Sequence, residues 1–309
     1  MLKLAYCQQA YGDSVNWIGE HEPVFQTVNF RQIEYDVGPR FGDLIPAIEK
    51  MHPHTDLYHV HTHLTDRDVL EQVLKYAKKP VIWDCHDRPQ WIMSNAPQDR
   101  LAPVDELKGI NGTVYRTYCP KDWFSIPKRG NGKIVISTGL ADRPHFRYWL
   151  PAFQEMRKAG ADVTCYTQSQ VSKDYQEAAT MKHPLPCREL VQQVSEYSAG
   201  LCGSPYPDQN MLSAYPNKLF EYIAAGIPVI CVGREHAMAK FIEDNKIGVA
   251  IGDPASIMVA LDMIEHDNLR ANVIAIRDKF SMDTQVDKVT QFYHRQLKVR
   301  PSSMRLAHA

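Results

Sequence analysis

The chain has 309 residues, of which 44% are hydrophobic and 23% are charged, a composition typical of globular proteins and unlike that of disordered or fibrous ones. Its 35 basic and 36 acidic residues leave a formal net charge of −1, so the chain as a whole has no field that would attract nucleic acid or an anionic membrane. At this length two domains are expected rather than one.

The cysteines and the N-terminus indicate the cellular compartment. Seven cysteines are scattered along the chain without a C-x-x-C pair, a pattern typical of reduced, buried thiols. The first residues, MLKLAYCQQAYGD, reach polar side chains too soon for a secretory signal, and no segment approaches the ~18 apolar residues that a membrane span requires. We therefore expect a cytoplasmic protein without an integral membrane span.

The first part of the chain alternates between strand-like and helix-like segments. Five short β-branched or apolar runs predict strands at residues 2–7, 24–29, 56–60, 80–83 and 113–118. Apolar residues at helical spacing predict helices at residues 41–51, 66–78 and 104–107. This alternation predicts a mostly parallel sheet that is covered by helices.

A second series of the same kind follows a break in the pattern. Residues 125–132, SIPKRGNG, carry no periodic signal and are rich in Gly, Pro and charge, so we place a domain boundary there, giving domains 1–128 and 129–309. Beyond it, strands are predicted at residues 133–137, 162–167, 200–203 and 227–232, with helices at 147–159, 187–197, 254–265 and 284–297. The sequence therefore predicts two doubly wound α/β domains in tandem.

The most informative stretch is residues 215–233, YPNKLFEYIAAGIPVICVG. Pro216 suits a first helical turn, Gly226 can take the left-handed conformation that ends a helix, and Pro228 prevents its continuation. Between them, apolar residues recur at helical spacing: Leu219, Phe220, Ile223 and Ala224. The stretch therefore predicts a helix that leads directly into a buried strand.

Residues 216–230, PNKLFEYIAAGIPVI, resemble the donor-site signature of the GT-B glycosyltransferases, especially the group 1 (GT4-like) family. Residues 133–159 and 241–264 also resemble the segments that flank this signature. The resemblance implies two Rossmann-like doubly wound domains facing a cleft, with a C-terminal helix that can cross back to the first domain. It implies transfer of a sugar from a nucleotide diphosphate sugar to a hydroxyl acceptor, with no tightly bound cofactor.

The resemblance also assigns residues to the donor. It implies that Glu221 hydrogen-bonds the ribose hydroxyls, since a carboxylate can accept two vicinal O–H groups. The N-terminus of the helix, with Asn217 and Lys218, would face the diphosphate, and Gly139 would lie in the loop after the first strand of the second domain. The alternative is that Lys218 and Glu221 form a solvated i, i+3 pair on an amphipathic helix.

Two positions depart from the family pattern. Ser213 stands where members that retain the anomeric configuration often carry a second glutamate, and Leu140 stands where an arginine usually neutralises the leaving diphosphate. We favour Arg143 as the replacement cation, with Arg147 as the alternative. Retaining and inverting chemistry both stay open, and a non-catalytic nucleotide-binding relative is a further alternative.

In the first domain, VIWDCHD at residues 81–87 resembles the family strand that ends in a histidine contacting the transferred sugar. His86 is therefore the first candidate, and Asp87 would orient it or act as base toward the acceptor if the enzyme inverts. Asp84 is the competing carboxylate.

His59, His61 and His63 form the second motif of this domain. Alternate residues of a strand share one face and can hold a metal, and HVHTHLTD resembles the first motif of the PHP metal-dependent hydrolases. That motif normally opens its barrel, however, whereas two predicted strands precede it in this chain. We expect the histidines to line the cleft without a metal and keep the hydrolase as the runner-up.

The acceptor is the least defined part of the prediction. A first domain of about 125 residues is short for the family, so its cleft would be open enough for a polymer. A saccharide, a lipid-linked hydroxyl and a hydroxylated DNA base all fit this description, and the near-neutral charge neither supports nor excludes nucleic acid.

Overall fold

The computed structural model of the chain describes residues 2–8, 14–21, 32–36, 57–62, 81–85 and 118–298, with side-chain surroundings from residue 118 onward except at residues 209, 210, 286–290, 293, 296 and 298. The chain divides into two compact units, one formed by Met1–Tyr115 with Val286–Ala309 and the other by Arg116–Gln285. The boundary expected after residue 128 stays a prediction. The helices predicted at 41–51, 66–78 and 104–107, the strand at 24–29 and all but the last residue of the strand at 113–118 lie outside the described residues.

The first unit contains a five-stranded sheet in the order β3-β2-β1-β4-β5. Its strands are β1 (Leu2–Gln8), β2 (Ser14–His21), β3 (Gln32–Asp36), β4 (Leu57–Thr62) and β5 (Val81–Cys85). The predicted strands at 2–7, 56–60 and 80–83 are confirmed, and β1, β4 and β5 run parallel as expected.

Strand β3 was not predicted, and neither was β2. Strand β2 returns antiparallel beside β1, and Gly19 is the extra residue of a bulge where Lys3 pairs with Glu20 but Leu4 pairs with Ile18. The bulge interrupts the alternation of apolar residues that would otherwise mark a strand, which is why the pattern was missed. The sheet therefore contains one antiparallel strand among parallel ones.

The second unit is a doubly wound sheet of six parallel strands in the order β11-β10-β9-β6-β7-β8. They are β6 (Ile134–Ser137), β7 (Val163–Tyr166), β8 (Thr180–Lys182), β9 (Ala199–Gly203), β10 (Val229–Val232) and β11 (Gly248–Ile251). The winding reverses between β6 and β9, the arrangement of Rossmann-type folds. The predicted strands of this half are confirmed, whereas the short β8 and β11 were not predicted.

Nine α-helices lie between or after these strands in the described part of the chain. They are α1 (Leu150–Lys158), α2 (Lys173–Ala178), α3 (Cys187–Val194), α4 (Gln209–Ser213), α5 (Asn217–Ala225), α6 (Ala237–Asp244), α7 (Ile257–His266), α8 (Leu269–Ile276) and α9 (Asp283–Lys298). None of these helices has both the length and the apolarity of a membrane span. Helix α9 begins in the second unit and continues into the C-terminal segment that is grouped with the first.

Alternate residues of the parallel strands build two cores, one on each face of the second sheet. Helices α3, α5 and α6 cover the face formed by Val135, Cys202, Val229, Cys231 and Ala250. Helices α1 and α7 cover the face formed by Ile134, Ile136, Ile230, Val232, Val249 and Ile251. Because both faces are covered, the strands read as continuous apolar runs in the sequence.

Tyr222 fixes α5 on the sheet at the point where β6 and β9 separate. These two strands pair only through Ile134 with Ala199 and Val135 with Gly200. Beyond that point the amide of Ser137 donates to the Tyr222 hydroxyl at 3.1 Å. A side-chain carbon on Gly200 would lie 2.3 Å from the Tyr222 ring, so only glycine leaves room for this packing.

The other end of α5 is held through its carbonyl groups. Gly226 ends the helix in the left-handed conformation, with φ of 72°. The Arg277 guanidinium donates to the carbonyl oxygens of Ala224 (3.2 Å) and Ser125 (3.0 Å), and that of Arg270 donates to Gly226 (3.4 Å). Two cations therefore complement the negative end of the helix dipole.

Replacing Gly200 by alanine tests the packing of Tyr222. We expect Gly200→Ala to lower the free energy of unfolding by about 2 kcal/mol or more, because the added carbon displaces the ring and breaks its bond to Ser137. Urea unfolding followed by circular dichroism measures this change. Gly252→Ala is the matched control, since its added carbon would meet no atom within 4 Å. Equal stabilities of the two variants would contradict the assignment.

Candidate functional site

The candidate site lies where the winding of the second sheet reverses. In open parallel sheets the loops after the two strands at this point diverge and leave a crevice at their carboxyl ends. Here these strands are β6, followed by Thr138 and Gly139, and β9, followed by Ser204. Tyr222, which accepts the Ser137 amide, places the preceding turn of α5 next to this crevice.

The first turn of α5 supplies the positive end of a helix dipole. Pro216 precedes the helix in an extended conformation, with φ of −69° and ψ of 151°, and makes no side-chain capping bond. The first amides of a helix have no partner within the helix, so the turn at Asn217 and Lys218 favours a negative ligand.

Lys218 is a partly buried cation in this turn. Burial lowers the pKa of its ammonium group, and a smaller contribution from Arg147 acts in the same direction, while Cys202, Cys165 and Glu221 oppose the shift. Within the described residues the ammonium makes neither a hydrogen bond nor an ion pair. Lys218 is therefore held in an environment that disfavours its charge.

Glu221, one turn further along, is the second partly buried charge. Burial raises the pKa of its carboxyl group, and this shift is opposed by a hydrogen bond from Cys187 and by the Lys218 charge. The Cys187 thiol donates to Oε1 at 3.3 Å. Lys218 and Glu221 do not approach to ion-pair distance, which argues against the solvated i, i+3 pair that was the alternative interpretation.

The thiols around these two residues are neutral. Burial raises the pKa of both Cys165 and Cys202 to about 12. The pKa of Cys187 is also raised, first by a hydrogen bond with Cys119 and then by burial. All five cysteines whose side chains are described are free, as predicted, and burial disfavours the thiolate form of Cys165 and Cys202, the two thiols that act on Lys218.

The loop after β6 brings an arginine back to the site. The amide of Ala141 donates to the carbonyl of Arg147 at 3.0 Å, so the loop closes on itself. A side-chain carbon on Gly139 would lie 3.4 Å from Arg147 Nη1, which shows how closely this guanidinium covers Gly139. Arg143, the cation favoured from the sequence, lies in the same loop and is exposed, as Arg147 is, and no hydrogen bond or ion pair involves Arg143 among the described residues.

A histidine that the sequence did not single out organises the loop after β9. His236 is 1% exposed, and its ring nitrogens lie 2.9 Å from the carbonyl oxygen of Met211 and 3.4 Å from that of Ser204. Asp208 begins α4 by accepting from the Met211 amide at 2.8 Å. Ser213, the last residue of α4, is thereby positioned shortly before α5.

The site residues predicted in the first unit lie partly outside the described residues. His86, Asp87 and His63 lie outside the described residues. His59 pairs with Tyr6 and Ile82, and His61 pairs with Gln8 and Asp84, so both lie in β4, between β1 and β5. The described strands form an open sheet with β3 and β5 at its edges, whereas the hydrolase interpretation requires a closed barrel.

No metal site is found among the residues whose side chains are described: no three of their His, Cys, Asp and Glu side chains are grouped closely enough to hold an ion.

Comparisons with known proteins identify the second unit. A family model described as "Glucosyltransferase 3-like, C-terminal domain" matches residues 149–288, which span α1 to the beginning of α9. The match contains the whole of α5 with Lys218 and Glu221. No curated protein sequence matches the chain.

Solved structures identify the fold of the chain as a whole. AviGT4, a glycosyltransferase involved in avilamycin A biosynthesis, matches with a TM-score of 0.54 and 12% identity over 85% of this chain and 80% of its own. A DNA-modifying β-glucosyltransferase, studied with and without uridine diphosphoglucose, matches with a TM-score of 0.50 and 12% identity, over 83% of this chain and 78% of its own. HepE from Anabaena, in complex with UDP and glucose, matches with a TM-score of 0.50 and 10% identity, over 82% of this chain and 81% of its own.

At these identities the solved structures show a shared fold, and the family model adds a match to a glucosyltransferase domain over residues 149–288. The fold covers both units and excludes the barrel of the alternative hydrolase. The group 1 subfamily stays a prediction. Residues 149–288 match the glucosyltransferase 3-like C-terminal domain, and the chain shares the GT-B fold of these glycosyltransferase structures.

Proposed function

We propose that the second unit binds a nucleotide diphosphate sugar at the carboxyl ends of β6 and β9, and that the chain transfers the sugar to a hydroxyl acceptor. One observation carries the proposal. Lys218 and Glu221 lie one turn apart at the N-terminal half of α5, both partly buried, without an ion pair between them. Desolvated charges that do not neutralise each other are characteristic of a site that meets its charges in a ligand.

Glu221 is assigned to the ribose. The Cys187 thiol occupies one position on Oε1, and an ionised carboxylate has about four lone-pair positions in all. The carboxylate can therefore accept both vicinal hydroxyls of a ribose while Cys187 fixes its orientation. This role is the same for every nucleotide base, so Glu221 anchors the donor without selecting it.

The diphosphate is assigned to the first turn of α5 and two cations. Amides at the N-terminus, the Lys218 ammonium and the Arg147 guanidinium all favour negative charge there. When the sugar departs, further negative charge develops on the diphosphate, and cations held in place in advance lower the barrier. We propose Arg147 for this role over Arg143, because Arg147 covers Gly139 at the end of β6. Asn217 and Ser213 flank the same turn.

UDP-glucose is the donor we propose first. The description of the matching family names a glucosyltransferase, and two structures of the same fold are associated with uridine diphosphoglucose or with UDP and glucose. His86 is proposed to contact the transferred sugar and Asp87 to orient it or to act as base toward the acceptor. The acceptor is a hydroxyl of a saccharide, a lipid-linked molecule or a modified DNA base.

Calorimetric titration with UDP-glucose tests the donor site. We expect Glu221→Ala to weaken binding by about tenfold to a hundredfold, because hydrogen bonds to a charged group contribute about 1.5–3 kcal/mol. Lys218→Met should weaken binding of UDP, which carries the diphosphate, more than that of uridine. Glu189→Ala, on the exposed side of α3, is the matched control. Unchanged binding by Glu221→Ala would remove the assignment.

A second test uses the pH dependence of stability. Burial raises the pKa of Glu221 in the folded protein above the value of about 4.5 expected in the unfolded chain. Ionisation of this group therefore destabilises the fold as the pH rises above about 4.5 and through the raised pKa. We expect Glu221→Gln to be more stable than the parent protein at pH 7, by about 1 kcal/mol, and the gain to vanish toward pH 4.

The control for this experiment is Glu189→Gln, which we expect to change stability at pH 7 by less than about 0.5 kcal/mol. Urea unfolding of the ligand-free protein across this pH range provides the measurement. A Glu221→Gln variant that is less stable than the parent at pH 7 would show that the carboxylate is structural, contrary to the proposed role.

A further inference from the structure

Strand β11 is one edge of the second sheet, two strands away from the candidate site. It pairs with β10 on one side, and within the described part of the chain no strand pairs with its other side. The carbonyls of Ile247 and Ile251 accept from the β10 side at 3.0 and 2.8 Å. Because hydrogen-bonding direction alternates along a strand, the N–H and C=O groups of Ala250 point to the outer side.

This outer side opens into a groove of about 860 Å³. Residues 248–253 line its length, and α7 contributes Val259, Ala260 and Met263. Ala250 itself is only 2% exposed, so its outward backbone groups lie at the bottom of the groove rather than on an open surface. Buried backbone groups without a partner are costly, and a strand added in the groove would satisfy them.

Helix α7 has an apolar surface along this groove. Among the residues whose burial is described, five large apolar side chains are exposed, and three of them, Met258, Val259 and Met263, belong to α7. Val259 and Met263 are 61% and 47% exposed and stand one helical turn apart. A concentration of this kind on one helix marks a contact surface, whereas scattered exposed apolar residues do not.

The charges at the two ends of β11 indicate what occupies the groove. Lys246 precedes the strand and Asp253 follows it, and both line the groove. In an antiparallel pairing centred on Ala250, residue 247 of one strand stands opposite residue 253 of the other. Lys246 of each copy would then lie beside Asp253 of its partner, so the edge is complementary in charge to itself.

We propose that the chain forms a two-fold symmetric dimer in which β11 of two copies pair antiparallel into a continuous twelve-stranded sheet. A two-fold axis perpendicular to the sheet keeps each face on its own side. Helix α7 and helix α6 cover opposite faces, so α7 meets α7 and α6 meets α6 across the axis. Val259 and Met263 of both copies bury one another, while the outward groups of Ala250 exchange hydrogen bonds.

Sedimentation velocity of the full chain tests the dimer. At micromolar concentration we expect the parent protein to sediment as a species with twice the 35.3 kDa mass of one chain. Val259→Asp combined with Met263→Asp should give single chains that remain folded, since both side chains are already exposed. Ile126→Asp, which changes an 81% exposed apolar residue outside the groove, is the matched control and should leave the dimer intact.

A charge exchange tests the pairing register. Lys246→Glu and Asp253→Lys should each weaken the dimer by about tenfold, because each change places like charges together at two symmetric positions. The double variant should recover the affinity. Asp253 also accepts from the Ala255 amide at 2.9 Å, but Asp253→Lys and the double variant lose this bond equally, so the recovery reports the charge pairing alone.

Three results would overturn the proposal. A parent protein that sediments as single chains leaves the groove to a different partner. A dimer that persists in the Val259 and Met263 variant has its contact elsewhere. If the variant that combines Lys246→Glu with Asp253→Lys dimerises no more tightly than Asp253→Lys alone, the antiparallel register is excluded.

Discussion

The second unit depends on the contact between the ring of Tyr222 and the backbone of Gly200. Parallel strands that separate leave amides without partners, and here the Tyr222 hydroxyl accepts the amide of Ser137 just beyond the last pairing of β6 with β9. The same contact sets the height and rotation of α5 above the sheet. Because Lys218 and Glu221 precede Tyr222 by four residues and one residue, their positions at the crevice follow from it.

The site that results holds two charged groups in surroundings that disfavour their charge. Burial lowers the pKa of Lys218 and raises that of Glu221, so each group loses some preference for its charged form. An ion pair between them would relieve this cost, yet Glu221 is engaged by the Cys187 thiol instead. The rigidity of α5, anchored through its carbonyl end by Arg270 and Arg277, keeps the two charges apart and available.

Sequence patterns were sufficient where local rules determine the structure. Pro216, Gly226 and the spacing of the apolar residues between them predicted α5, and the alternation of elements predicted the doubly wound sheet. The proposal of Arg147 over Arg143 rests on the way the loop closes at Ala141, which the sequence does not reveal. Likewise, His236 acts through carbonyls 25 and 32 residues away, and no short-range pattern encodes such contacts.

The two edges of the second sheet differ in a way that bears on its assembly. Strand β8 has three residues, none of them fully buried, and ends in Lys182, whose ammonium donates to the Tyr197 hydroxyl at 3.2 Å. A short edge with a charged residue discourages pairing with another chain. Strand β11 is fully buried, lies in a groove and has its charges only beyond its ends. A sheet that protects one edge and leaves the other with unpaired backbone and adjacent apolar side chains is built to be extended on that second side.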